Sequence, residues 1–420
     1  MLQVLKQRGL VSLRKKYDVL VLCLFFHPDQ VTASRLCYEM VQDLVAKGLK
    51  VRVLCGFSKN YETEKPVPRV ETINGIDVRR MRYIQLPRSS KIGRLINYFS
   101  FLFTVIINWP RLINNKCTIV YSDPPILPLV TSINKSIFKI KYIFVGNDIY
   151  PDIALATEKI RENSFIHKMM NRVNNRMSKN VDQIVALSHD MKDYILDNRK
   201  AIASNQVTVI PNWYDHGGTD VSKVIRDTEI AELRKKYSMI ILYSGNMGIA
   251  QDIQTIINVA KGLKNNKEII FIFTGNGQKV EHLKSEIVNH QLDNVMFYDF
   301  LVGSKYIDML KIADVHVISL MDGVEGMAVP SKTYSYMSVG RPIVAIMSDH
   351  TDIAKDIRRY NLGCVLQSGE VEKFSEYIIF LLDNKVEVEE IGKRVRNVFN
   401  NNYTRKISTT KYYEVIKEIS

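Results

Sequence analysis

Between two apolar runs, residues 325–345 read EGMAVPSKTYSYMSVGRPIVA, which crowds a carboxylate, a Pro-Ser-Lys turn and a Gly-Arg-Pro together. These residue types suit an anion. Ser331 stands where a helix would be N-capped, so the first free N–H groups and the Lys332 ammonium can face a diphosphate, flanked by Pro330 and Thr333. Glu325, on a glycine-flanked loop, can accept hydroxyl groups of a sugar or ribose. A capped strand–loop–helix turn with no ligand fits the same letters equally well.

Two further loops have related chemistry. YSGNMG (243–248) supplies Gly245, Asn246, Met247 and Gly248, and FTGNGQ (273–278) supplies Gly275, Asn276 and Gly277. Glycine permits positive φ and close approach of backbone N–H groups to a phosphate. Neither loop is GxGxxG or GxxxxGK[ST], so nicotinamide dinucleotides and ATP lose support. In the first half, His27 in FFHPD and Asp148 in GNDIYPD end strand-like runs, where binding groups are expected. A hydrogen-bonded loop histidine explains His27 equally well. No Asp-x-Asp occurs, so no metal is expected and no cofactor beyond the co-substrate.

Strand and helix patterns must position these loops. Apolar strand-like runs at 17–26, 50–57, 117–122, 141–148, 182–188 and 207–215 alternate with helical stretches such as 34–48. A second series begins at 239–245 and continues through a helix at 251–262, a strand at 267–275, a helix at 279–290 and a strand at 294–300. A helix at 306–312 and strands at 315–320 and 342–347 follow, with mostly helix to the end. Alternation of this kind predicts an α/β fold with two parallel sheets, each covered on both faces. The polar stretch 212–238 is the expected linker, which sets domains at 1–215 and 216–395 and leaves 396–420 as a final helix. Ligands are expected at the carboxyl ends of the strands.

With 420 residues, of which 46% are hydrophobic and 24% charged, the chain is long enough for two cores. Its net charge of +14 is uneven. Residues 1–215 hold 32 Lys and Arg against 18 Asp and Glu, whereas the remainder holds 26 of each. The basic half points to a polyanion or an anionic bilayer surface, or to nothing more than a solvated face. Nucleic acid ranks lowest, because zinc-finger spacing, RNP-like aromatics and a basic-region helix are all missing. Five scattered cysteines without a CxxC pair fit a reducing cytoplasm, with Cys23 and Cys55 inside strand-like runs. Basic residues interrupt every apolar stretch of MLQVLKQRGLVSLRKKYDVL, so no export signal is read there. The apolar segment 95–114 falls short of a spanning helix and is expected to pack on a sheet, with a strip that dips into a lipid surface as the lesser alternative.

The order of these motifs resembles the family-four glycosyltransferases of the GT-B fold. PSKTYSYMSVGRPIV is similar to a subgroup with P-S-K-x-x-x-Y-M-A-x-G-x-P that builds bacterial surface polysaccharides such as O-antigen, capsule and exopolysaccharide. FFHPDQVTASR, YSDPP, GNDIYPDIAL, IPNWYD, YSGNMGIAQD and FTGNG match in the family's order. The resemblance implies two Rossmann-like doubly wound domains facing each other across a cleft, with a last helix crossing back to the first. It implies a nucleotide-sugar donor, most simply a UDP-sugar, in the C-terminal domain, and a polyprenyl-diphosphate-linked or oligosaccharide acceptor in the N-terminal one, oriented by His27 and Asp148. Retention of anomeric configuration without metal is implied too, with Lys332, Glu325 and Asp148 as catalytic candidates, at the inner face of the cell membrane.

Two departures stand out. The family's E-x7-E pair is broken, since Ser335 occupies the second position and Glu325 lies ten residues before it. Asn246 and Gln251 stand near the places of an Arg and a Lys that bind diphosphate, so Lys332 is expected to supply the missing charge. Two other classes remain open: a non-hydrolysing nucleotide-sugar epimerase of the same architecture, and a non-catalytic polyanion-binding protein.

Overall fold

The computed structural model describes residues 16–58, 66–87, 90–215 and 225–420. Most of the basic N-terminal stretch and the glycines of the expected linker lie outside the described residues.

Two compact units emerge. The first comprises the described residues up to Pro211, together with Gly326–Val329 and Arg405–Ser420; the second is Asn212–Glu325 with Pro330–Thr404. The first unit carries eight strands: β1 (Tyr17–Leu22), β2 (Val51–Gly56), β3 (Val70–Ile73), β4 (Ile76–Met81), β5 (Asn115–Tyr121), β6 (Lys141–Gly146), β7 (Gln183–Ala186) and β8 (Val207–Val209). Their order is β3-β4-β2-β1-β5-β6-β7-β8, parallel throughout except for the antiparallel edge strand β3. Central strands such as β1 and β5 are almost wholly buried, as continuous apolar runs covered on both faces must be.

The second unit has β9 (Met239–Ser244), β10 (Ile269–Thr274), β11 (Val295–Tyr298), β12 (Val315–Ser319), β13 (Ile343–Ile346) and β14 (Gly363–Leu366). They form one parallel sheet in the order β11-β10-β9-β12-β13-β14. Renumbered within the unit, that is 3-2-1-4-5-6, the doubly wound order whose direction reverses between the first and fourth strands. The loops after β9 and β12 therefore leave the sheet on either side of its switch point. Those two loops carry YSGNMG and EGMAVPSK.

Several expectations need correction. The hairpin β3–β4 was not anticipated, because Val70–Ile73 lies at a sheet edge with alternating exposure and no continuous apolar run. The chain after β13 is mostly helix, as expected, with the short strand β14 between the first two helices. The linker contains a helix, Thr228–Lys236, capped by Asp227 and anchored by buried Ile230 and Leu233. The final helix begins not at 396 but at Arg405, since 396–402 complete the preceding helix Lys385–Asn402. Arg405 pairs with Asp43 at 2.7 Å and Ser408 Oγ donates to Pro211 O at 2.8 Å, which ties the last helix into the first unit.

Candidate functional site

In the second unit the two glycine loops lock together. Gly245 N donates to Thr274 O at 2.8 Å, Met247 N to Asn276 O at 2.7 Å, and Lys279 N to Met247 O at 2.9 Å. A Cβ on Gly275, at φ +137°, would lie 2.1 Å from Gly245 O, and one on Gly277 would lie 2.5 Å from the Met247 carbonyl. These glycines are needed because one turn lies directly on the other. Asn246 and Asn276 are left exposed at the rim while Met247 is buried beneath.

Lys332 opens the helix Lys332–Val339, and its side chain reaches back to the first of these turns. Its Nζ lies 3.6 Å from the centroid of the Tyr243 ring and 3.6 Å from where a Cβ on Gly245 would sit. That ammonium is enclosed and has no hydrogen-bond acceptor among the described residues. Burial alone pulls its pKa down to about 7. Beside it, Thr333 Oγ1 is also buried without a partner. A buried cation lacking an acceptor is costly, and an anion placed against it relieves that cost.

The helix that presents Lys332 is held rigidly. Tyr336 Oη accepts from Ser244 N at 2.7 Å and donates to Ser244 O at 2.9 Å, which pins the helix to the end of β9. His316 stacks on Tyr336 at 4.5 Å and burial lowers its pKa to about 3, so it is neutral and structural. Tyr306 and Ser335 hydroxyls meet at 2.8 Å, and Tyr334 packs edge-on against Tyr403. The tyrosines of the opening stretch are thus the helix's anchors. Gly340, at φ +69°, ends it, but Ser331 does not cap it: its own backbone is helical and its hydroxyl accepts no capping hydrogen bond. Pro330 O instead accepts from Thr333 N at 3.1 Å.

Glu325 is half-buried on the loop after β12. Gln251 is occupied structurally, its Oε1 accepting from Gly248 N at 3.0 Å, and Lys279 Nζ closes the same loop through the Ile249 and Gln251 carbonyls. Sequence reasoning missed Tyr243 as the platform under Lys332, although it is the first residue of YSGNMG. The sheet order sets β9, which carries Tyr243, beside β12, whose following helix carries Lys332, a proximity no spacing in the sequence reveals.

In the first unit His27 lies within the loop after β1 and stacks on Tyr38 at 4.4 Å, while its carbonyl accepts from Arg80 Nη2 at 2.8 Å. Burial, then the Arg80 charge, lowers its pKa, so the ring is neutral near pH 7. Asp148 follows β6, two strands from β1. Its carboxyl is pushed up to about 6 by burial, with Asp123 adding to the shift. Asp148 N donates to Ser122 Oγ at 3.3 Å, Asp148 pairs with Ala328 in a lone bridge, and Ile149 N donates to Met327 O at 2.8 Å. Gly326 N donates to Asp190 Oδ2 at 3.2 Å. Residues 326–329, which follow Glu325 directly, therefore belong to the first unit. Among the described residues no three His, Cys, Asp or Glu side chains group as metal ligands.

Comparison with known proteins follows this division. The family "Glycosyltransferase Family 4" matches residues 33–217 and "Glycosyl transferases group 1" matches residues 225–398. A probable glycosyltransferase of Pseudomonas aeruginosa, WbjE, is 23% identical over 345 residues, covering 80% of this chain and 84% of its own. The putative colanic acid biosynthesis glycosyl transferase WcaI of Escherichia coli (strain K12) is 25% identical over 183 residues, covering 42% of this chain and 43% of its own. Among solved structures, Anabaena Alr3699/HepE in complex with UDP superposes with a TM-score of 0.70 at 12% identity, covering 96% of this chain and 100% of that one. The fold is GT-B, with two Rossmann-like α/β domains.

Proposed function

We propose that this chain, a glycosyltransferase with a family-four domain followed by a group 1 domain, moves a sugar from a UDP-sugar to a lipid-linked or oligosaccharide acceptor in bacterial surface-polysaccharide synthesis. One observation carries the donor assignment. The enclosed, acceptor-free Lys332 ammonium lies at the switch point of the second sheet, beside the Gly245 turn. The diphosphate occupies that corner, with Lys332 and the turn N–H groups of 245–248 around it, and the hydroxyl groups of the sugar or ribose reach Glu325. The solved HepE with UDP supports a uridine nucleotide, and the colanic acid relative supports the polysaccharide context.

The chemistry follows from the charges. The bond from the anomeric carbon to the β-phosphate oxygen breaks, and Lys332 stabilises the negative charge gathering on the leaving diphosphate. An acceptor hydroxyl oxygen bonds to the anomeric carbon and its proton passes to the departing phosphate, so no strong protein base is required. Retention and independence from metal rest on the Pro-Ser-Lys motif resemblance and on the absence of Asp-x-Asp from the sequence. Asp148 and His27 belong to the acceptor side.

Turnover with a panel of UDP- and GDP-sugars, with and without EDTA, tests this reading. Nucleoside diphosphate release that depends on an added acceptor supports it, and NMR of the product reads the anomeric configuration. Conversion of the donor sugar without acceptor would instead indicate an epimerase.

A further inference from the structure

Of the nineteen large apolar side chains that stand exposed among the described residues, eight fall between positions 84 and 107. They are concentrated on the helix Lys91–Ile107. Its buried face is Asn97, Phe101 and Val105, spaced by four. Its opposite face is Ile92, Ile96, Phe99, Phe103 and Ile106, spaced by four and three, so they form one stripe. Ile92 is 71% and Phe103 63% exposed. Ile84 and Leu86 extend the patch, because Ile84 N donates to Ser100 Oγ at 3.0 Å and Leu86 N to Asn97 Oδ1 at 2.8 Å. Apolar patches of this extent mark an interaction surface.

The surrounding charge selects the partner. Residues 78–122 contain eight Lys and Arg and not one Asp or Glu. Arg82 and Arg111 are exposed with no carboxylate partner among the described residues, and Thr104 Oγ1 donates to Arg82 O at 2.9 Å, which sets Arg82 alongside the helix. A second copy of the chain would bring these cations face to face. No described helix is long and apolar enough to cross a membrane.

We propose that the Lys91–Ile107 helix lies in the surface of an anionic bilayer, with Ile96, Phe99, Phe103 and Ile106 at the acyl boundary and the neighbouring arginines on lipid phosphates. The basic half supplies long-range attraction and this stripe supplies apolar insertion. The inference deepens the reading of a lipid-linked acceptor by naming the surface that meets the lipid.

The test is cosedimentation with vesicles of 30% phosphatidylglycerol in phosphatidylethanolamine, and with pure phosphatidylcholine, for wild type, Phe99→Ser/Phe103→Ser and the control Phe165→Ser. Phe165 is 76% exposed on another helix. Wild type and Phe165→Ser are expected to bind anionic vesicles, and the double variant about ten-fold or more weakly. UDP-sugar binding, measured on the same samples, is expected to be unchanged, so this proposal and the donor assignment fail separately. Equal binding by the double variant overturns the proposal. So does the absence of vesicle binding, including the case in which wild type is a dimer that the double variant loses.

Discussion

The two units share a doubly wound plan and use positive charge in opposite ways. The second is nearly balanced, with 22 cationic and 25 anionic residues, yet among its described residues it encloses the Lys332 ammonium without an acceptor. The first carries the excess, with 36 cationic against 19 anionic residues, and exposes Arg82 and Arg111 beside an apolar helix face. A single desolvated cation at a fixed position acts strongly over a few ångström, whereas many solvated ones attract weakly over a Debye length. Net charge thus points to the kind of surface a unit can meet, and a buried unpaired cation to the place where it can hold a particular anion.

Removing the buried cation should have the largest effect. Lys332→Ala is expected to lower kcat/KM for the donor on the order of 100-fold or more, by analogy with the loss of one preorganised oxyanion donor, in steady-state assays at saturating acceptor. Replacing an exposed cation of the first unit, Arg82→Ala, should leave donor kinetics on soluble acceptor unchanged. Equal losses from the two would end the contrast between buried and diffuse charge.

Next comes the interlocked backbone that frames Lys332. Gly275→Ala places a methyl group 2.1 Å from Gly245 O at a φ that L-residues avoid, and should destabilise the second unit by about 3 kcal/mol or more in urea denaturation. On the acceptor side, Asp148→Asn should abolish the titration near pH 6 that burial gives this carboxyl and reduce turnover about ten-fold, read from pH–rate profiles. The smallest effect belongs to Tyr243→Leu. Loss of the ring under Lys332 should weaken UDP binding a few-fold to about ten-fold, consistent with an enclosed cation–π contact of ~1 kcal/mol. Tyr243→Phe, which keeps the ring and loses only the hydrogen bond to Asn246 O, should restore most of it.

The sequence showed most of the fold and part of the site. Runs such as YDVLVL, MIILYS and IIFIFT are apolar enough to be read as buried strands, and their alternation with amphipathic helices dictated two parallel sheets. The edge strand VETI escaped because half-exposed residues carry no such pattern. Lys332 was legible from its Pro-Ser-Lys setting, but Ser331 was misread as a side-chain cap, because composition does not reveal that the backbone there is already helical. Tyr243 was hidden because its partner is 89 positions away and meets it only through the β9–β12 crossover. Segment 95–114 read as a helix packed on a sheet. Which of its two apolar faces packs, and that the other stays bare, depends on the sheet beneath it.

Proton-linked calorimetry of UDP binding tests the central claim most directly. Free Lys332 has its pKa pulled down to about 7, and the diphosphate of the proposed donor would bind its charged form. Affinity for UDP should therefore fall as pH rises from 7 to 9. Near pH 8, complex formation should take up close to one proton, seen as a dependence of the heat on buffer ionisation enthalpy. Lys332→Met should bind more weakly and take up none. Equal affinity of wild type and Lys332→Met across that range, with the same proton count, would contradict the account.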